Sequence, residues 1–157
     1  MIILGVDPGT NRAGYGVIKK NGDNISLLDY GCVEIKAKSD HNDGLLTVHN
    51  AFIKIVEKWK PEVLAIEKLF FFKNAKTITQ VSEARGVIIL AALKSSLKIR
   101  EFTPLQVKQA VSSYGRADKK AVQKMVRLIL SLNKDPEPDD AADALAVAIC
   151  SANTRNF

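Results

Sequence analysis

Acidic residues fall at places in this chain where a fold can gather them. Asp7 closes the apolar run IILGV and Glu67 closes VLAI, and strand carboxyl ends are where open α/β sheets build their binding crevices. In PDDAADALA, Asp140 and Asp143 stand three residues apart and project from one face of the first turn of a helix. Asp139 and Asp143, four apart, also share a face, so spacing leaves open which of Asp139 and Asp140 joins the group. Three or four carboxylates within a few ångströms repel strongly at neutral pH, and they persist only with some protonation or with bound cations. Mg²⁺ is the natural counterion: it prefers oxygen ligands, and two such ions about 3.5–4 Å apart stabilise the attacking and leaving oxygens of an in-line phosphoryl displacement. The chemistry these residues suit is metal-assisted phosphoryl transfer.

Taken singly, each acid has a plainer explanation. Asp7-Pro8-Gly9 is a good turn sequence, Glu67 can cap an exposed strand end, and Asp139, Asp140 and Asp143 suit the positive end of a helix dipole. The combination is more informative, because the rest of the composition points the same way. The chain has 157 residues, 23 Lys+Arg against 17 Asp+Glu and a net charge of +6. A basic surplus with an acid cluster inside it fits a protein that holds a polyanion while metal ions act on its phosphate. No stretch combines a continuous basic face with bulky apolar residues, which places membrane binding last.

Residues 1–157 are expected to form a single domain with a sizeable core. Cys32 and Cys150 lack metal-ligand spacing and read as buried hydrophobes in a reducing compartment. His41 and His49 are the only histidines, which disfavours His-based metal cages. The longest apolar run, Val87 to Leu93, is far short of a bilayer span, and Met1 leads straight into IILGVD, so a cytoplasmic location is expected.

The elements that must position the acids follow from periodicity and turn residues. Ile2 to Asp7 reads as a strand, and PGTNRAG turns into a second strand, Tyr15 to Lys19. Asn21-Gly22 turns into a third, Ile25 to Ile35, and the three form an antiparallel meander. Helical spacing runs from Gly44 to Lys58 with Leu45, Val48, Phe52, Ile55, Val56 and Trp59 on one face, which puts Trp59 in the core. Val63 to Glu67 is a buried strand, Lys76 to Ser95 a helix, and Ile99 to Phe102 a strand. Thr103-Pro104 supplies an N-cap and first-turn proline for a helix reaching Ser112. Helices over Asp118 to Leu130 and Asp139 to Ala152 complete the chain. The order implies an α/β fold, a five-stranded mixed sheet with three antiparallel strands, then parallel ones, and helices on both faces.

The opening ILGVDPGTNRAGYGVI, the central LAIEKLFFFKN, the ARGVIILAA helix, and QVKQAV followed by PDDAADALAVAI resemble the bacterial RuvC-type Holliday junction resolvases, the crossover junction endodeoxyribonucleases. The resemblance covers nearly the whole chain in order. It implies a ribonuclease H-like fold, a homodimer, and Mg²⁺-dependent cleavage of two opposed strands at a four-way DNA junction, with Mn²⁺ as an alternative ion and a branch-migration motor as partner. The family's four acids carry over to Asp7, Glu67, Asp140 and Asp143, the DAAD pattern choosing Asp140 over Asp139. On this reading Asp7 bridges two ions, Glu67 completes one site, and Asp140 with Asp143 completes the other and orients the attacking water. Family basic residues beside the scissile phosphate match Lys108 and Lys119, with Lys120 adding a neighbouring charge, and Lys73 and Lys76 are further expected DNA contacts. Phe70 matches an aromatic that stacks on bases near the cut, although core packing also explains two of the three residues Phe70, Phe71 and Phe72.

The helix containing VSEARGVIILAAL is apolar around much of its circumference, which suits either burial between helices or a two-fold dimer face. Three other functions use parts of the same pattern. A ribonuclease H-type enzyme acting on RNA/DNA hybrids would share the acids. A sugar kinase or actin-like nucleotide binder would need a second lobe. A non-catalytic DNA-binding module would leave bound DNA covalently unchanged.

Overall fold

The computed structural model describes residues 1–34, 41–69 and 75–154, with the side chains of 41, 75 and 76 left out. The strands are β1 (Ile2–Pro8), β2 (Arg12–Asn21), β3 (Asn24–Glu34), β4 (Val63–Glu67) and β5 (Lys98–Phe102). The helices are α1 (His41–Trp59), α2 (Ala75–Lys94), α3 (Pro104–Ser112), α4 (Lys119–Ile129) and α5 (Asp139–Asn153). The sheet order is β3-β2-β1-β4-β5. β1, β2 and β3 pair antiparallel, while β4 pairs parallel with both β1 and β5, as hairpin turns and helical crossovers require.

Alternation along the strands divides the core into two layers. Ile3, Ile18, Val63 and Ala65 pack with α3, α4 and α5 residues such as Val107, Val126 and Leu145. Leu4, Val6, Val17 and Leu64 face Val48, Phe52 and Val56 of α1 and Ile88 and Ala92 of α2. Helices therefore cover both sheet faces. α5 is buried from Ala144 to Ala152, which explains why its sequence is apolar all round.

Glycine and alanine set how closely α5 approaches. A Cβ at Gly5 would overlap the Ala144 carbonyl and press on Ala148, one at Gly14 would overlap the Asp140 carbonyl, and one at Gly16 would press on the Leu145 side chain. This bare track across β1 and β2 lets the alanine-rich helix lie against backbone.

Two expectations need correction. β2 begins at Arg12, not Tyr15, because Ala13 and Gly14 pair with Pro8 and Asp7 on one side and with Val33 and Cys32 on the other. Trp59 is half-buried at the rim of the core: its Nε1 donates to Asp29 Oδ2 at 2.9 Å, and the Lys58 ammonium lies 4.5 Å from its ring centroid. The indole N–H needs an acceptor, and Asp29 offers one at the edge.

Candidate active site

Strand register brings the first two acids together. In the parallel β1–β4 pair Val6 lies opposite Ile66, so Asp7 and Glu67, one residue further on, leave the sheet side by side. With side chains alternating every residue, Ile3 and Val63 on the α5 face put Asp7 and Glu67 on that face too. α5 then brings its first turn over the end of β1, because Gly14 offers no side chain to obstruct it.

The result is a cleft of about 520 Å³ lined by Asp7, Glu67, Asp143, Lys108 and Lys119 together with Pro8, Lys68, Leu69, Pro104, Val107, Val122 and Ala146. Capping fixes Lys108 and Lys119. Thr103 Oγ1 accepts from Gln106 N at 3.2 Å, and Gln106 Oε1 accepts from Thr103 N at 2.8 Å, setting the start of α3 and hence Lys108. Asp118 caps α4 by accepting from Ala121 N at 2.7 Å, which makes Lys119 the first helical residue. Lys119 Nζ lies 3.0 Å from Asp143 and 3.3 Å from Asp139.

Asp140 sits beside the cleft. Its Oδ2 is 2.5 Å from Arg12 Nε, yet that same oxygen is buried and receives no aligned hydrogen bond. The pair is close as charges but poorly directed as donor and acceptor. Asp139, by contrast, is exposed and accepts from Gln123 Nε2 at 3.0 Å.

The electrostatics are those of a site short of positive charge. Burial pushes the Asp7 carboxyl up to about 7, helped by Asp143, Glu67 and Asp140 and opposed by Lys119. Glu67 is raised by burial and by Asp143 against the pull of Lys108. Asp143 is raised by burial, although Lys119 draws it down. Burial lowers Lys119, but hydrogen bonding and charge from Asp143 and Asp139 outweigh it and leave the ammonium raised.

An acid whose folded pKa exceeds its unfolded value binds more protons when folded, so its contribution is present below about pH 4 and is lost as pH rises towards 7. For Asp7 alone this is up to about 4 kcal/mol, with Glu67 and Asp143 acting in the same direction. Thermal unfolding in EDTA should therefore show the melting temperature falling between pH 5 and pH 8, and millimolar divalent cation should restore it at pH 8. A melting temperature that rises across this interval would contradict the arrangement.

As the side chains stand, no group of three or more acids, histidines or cysteines among the described residues encloses a metal ion. Lys119 holds Asp143, and Arg12 stands against Asp140. The donor chemistry nevertheless fits a hard divalent cation. All the candidate ligands are carboxylate oxygens, Asp7, Glu67 and Asp143 are each raised by burial and by neighbouring acids, and one buried oxygen, Asp140 Oδ2, lacks a directed partner.

Sequence reasoning located most of these side chains. Asp7, Glu67, Asp143, Lys108 and Lys119 meet in one cleft, Asp140 adjoins it, and Lys120 is exposed outside the lining. Phe70, Phe71, Phe72 and Lys73 lie outside the described residues, as does the side chain of Lys76. Arg12 and Lys68 were missed. Lys68 was signalled by its place directly after Glu67, whereas Arg12 was hidden by reading its segment as a turn.

The family model described as crossover junction endodeoxyribonuclease RuvC matches residues 3–151. The chain belongs to the RuvC family. It is 51% identical over 154 residues to the crossover junction endodeoxyribonuclease RuvC of Halothermothrix orenii, covering 98% of this chain and 93% of that one. It also superposes on the Thermus thermophilus RuvC structure with a TM-score of 0.89 at 31% identity, over 98% of this chain and 94% of the other. T. thermophilus RuvC in complex with Holliday junction substrate matches equally well, with a TM-score of 0.89 at 30% identity and the same coverage. The fold is thus the ribonuclease H-like one of the family, and the matched span contains all four acids and the three cleft lysines, Lys68, Lys108 and Lys119.

Proposed function

We propose that the chain resolves four-way DNA junctions by paired symmetric nicks, hydrolysing one phosphodiester in each of two opposed strands during homologous recombination and DNA repair. The observation that carries this reading is the meeting of Asp7, Glu67 and Asp143 with Lys108 and Lys119 in one cleft of a RuvC-family chain. RuvC-family membership brings divalent-metal chemistry with it.

Asp7, Glu67, Asp140 and Asp143 would hold that metal, two Mg²⁺ ions with Mn²⁺ as the alternative. Bound there, it supplies Lewis acidity and a water acidic enough to attack at neutral pH. The protein's own groups do the rest. Lys108 and Lys119 meet the scissile phosphate and offset its charge, and Lys119, lining the cleft where Lys120 does not, is the one that serves it. For that, Lys119 exchanges Asp143 for a phosphate oxygen, freeing a carboxylate as the substrate arrives. Cleavage leaves a 3′-hydroxyl and a 5′-phosphate. The remaining basic surface binds the polyanion, so affinity should fall with salt as counterions are released.

Residues 1–157 act as one nuclease domain, and two copies act together. Support for the dimer comes from α2, where Leu90 is 54% and Leu93 57% exposed, an apolar face that a second copy would cover. Leu90→Lys/Leu93→Lys should shift sedimentation from dimer to monomer and reduce paired nicking to single nicks. A wild-type monomer at working concentration would contradict the dimer. Among the described residues no helix is long and apolar enough to cross a membrane, which agrees with work in the cytoplasm, where a branch-migration motor would share the junction.

The deciding experiment compares a synthetic four-way junction, a matched linear duplex and an RNA/DNA hybrid, each with and without Mg²⁺. Paired nicks confined to the junction and dependent on metal are expected. Equal cutting of the hybrid, or no metal-dependent cutting, overturns the proposal.

A further inference from the structure

Tyr114 lies in the turn joining α3 to α4 and is 60% exposed, the largest exposure among the described bulky hydrophobic side chains. A surface tyrosine alone needs no explanation. This one is held in place and set beside the cleft. Ser112 Oγ accepts from the Tyr114 N–H at 3.3 Å and shares its one proton between the Lys108 carbonyl at 2.7 Å and the Tyr114 carbonyl at 2.9 Å, while Ala117 N donates to the Tyr114 carbonyl at 3.1 Å. Ser113, left-handed at φ 58°, closes α3 by donating its N–H to Gln109 O. The buried Ala117 anchors the other end of the turn.

The turn also folds back along α3. A Cβ at Gly115 would come 2.5 Å from Leu105 Cδ1 and 3.2 Å from Gln109 Cγ, so the glycine backbone lies against the Leu105 and Gln109 side chains of that helix. Leu105 directly follows Pro104, which lines the cleft, and is itself 54% exposed. The Tyr114–Ala117 turn keeps its ends within about 7 Å, and Lys119 is two residues on at about 3.8 Å each. Tyr114 therefore stands within about 15 Å of the lysine that meets the scissile phosphate, about four base steps along a strand at roughly 3.4 Å per step.

We propose that Tyr114 is a DNA-contacting specificity residue, its ring stacking on a base left unstacked at the junction crossover close to the cut. The inference rests on the junction-resolving reading above. In a linear duplex the base faces are already covered by their neighbours, whereas at a crossover some are open, so an aromatic ring on a fixed turn gains contact only from branched DNA. Stacking is indifferent to base identity, which makes the residue a sensor of branching more than of sequence.

The test uses full-length protein with Ca²⁺ in place of Mg²⁺, and junctions carrying 2-aminopurine at each of the four positions on either side of the cut. Wild type and Tyr114→Phe should change the fluorescence at one position, and Tyr114→Ala should abolish that change. Tyr114→Ala should raise the junction Kd about tenfold, with Tyr114→Phe near wild type and the linear-duplex Kd altered less than twofold. With Mg²⁺, Tyr114→Ala should lose more in KM than in kcat. Tyr114→Leu, which keeps apolar bulk, should resemble Ala and stands in for it should Ala unfold. Unchanged junction affinity and fluorescence in Tyr114→Ala and Tyr114→Leu overturns the proposal, as does an equal loss on duplex or a Phe variant as weak as Ala. If wild type itself fails to cleave the junction, the broader reading fails instead.

Discussion

Asp7→Asn is expected to lower single-turnover cleavage of a four-way junction by at least about 10³-fold, roughly 4 kcal/mol of transition-state stabilisation, while junction Kd changes only a few-fold. Asp7 is the acid that Asp143, Glu67 and Asp140 all act on electrostatically, and it lines the cleft with two of them. Asparagine keeps the shape and removes the charge that a divalent cation needs, whereas binding rests on basic residues spread over the surface. The same substitution should stabilise the metal-free fold. At pH 8 the wild type carries a buried carboxylate whose pKa burial and its neighbours have raised to about 7, and Asn removes that cost. The variant should melt on the order of 5–10 °C higher than wild type at pH 8 in EDTA, with the gap narrowing at pH 5, where Asp7 of the folded wild type is protonated, and closing only below about pH 4, where the unfolded chain is protonated there too. Stability gained as turnover is lost marks a residue kept for chemistry. Cleavage by Asp7→Asn at the wild-type rate would remove Asp7 from the metal site.

The legible parts of the site were those that local pattern determines. Asp7 and Glu67 end short apolar strands, and a strand's boundary is visible where its hydrophobic run stops. Thr103 and Pro104 announce α3 because a side-chain cap and a fixed φ are properties of single residues. Asp140 could not be separated from Asp139 by helical spacing, since either shares a face with Asp143. Depth in the fold separates them: Asp139 is exposed and bonded to Gln123, whereas Asp140 is half-buried beside Arg12. Arg12 was missed for a related reason. Ala13 and Gly14 have little strand preference, and they are drawn into β2 by ladders on both sides, a tertiary effect that local propensity does not record.

Gly14→Ala is expected to separate folding from catalysis at the other side of the site. The added methyl group would overlap the Asp140 carbonyl and come 2.9 Å from Ala141 N, and backbone atoms cannot rotate out of its way as a flexible side chain could. The first turn of α5 must lift off β2, carrying Asp140 and Asp143 with it. Overpacking of this kind costs about 1–3 kcal/mol, or a melting temperature lower by roughly 2–12 °C for a domain of this size. The larger effect is on geometry: a displacement of about 1 Å in positioned groups costs about 10²-fold in rate, so cleavage should fall by that much at temperatures where the variant is fully folded. Junction affinity in Ca²⁺ should stay within a few-fold of wild type, because Lys108 and Lys119 belong to α3 and α4, whose caps do not involve α5. A folded Gly14→Ala with wild-type cleavage would show that the close approach of α5 to β2 is not what aligns the acids. Loss of cleavage with affinity intact would tie the bare glycine track, an easily overlooked feature of the sequence, to the placement of two of the four carboxylates.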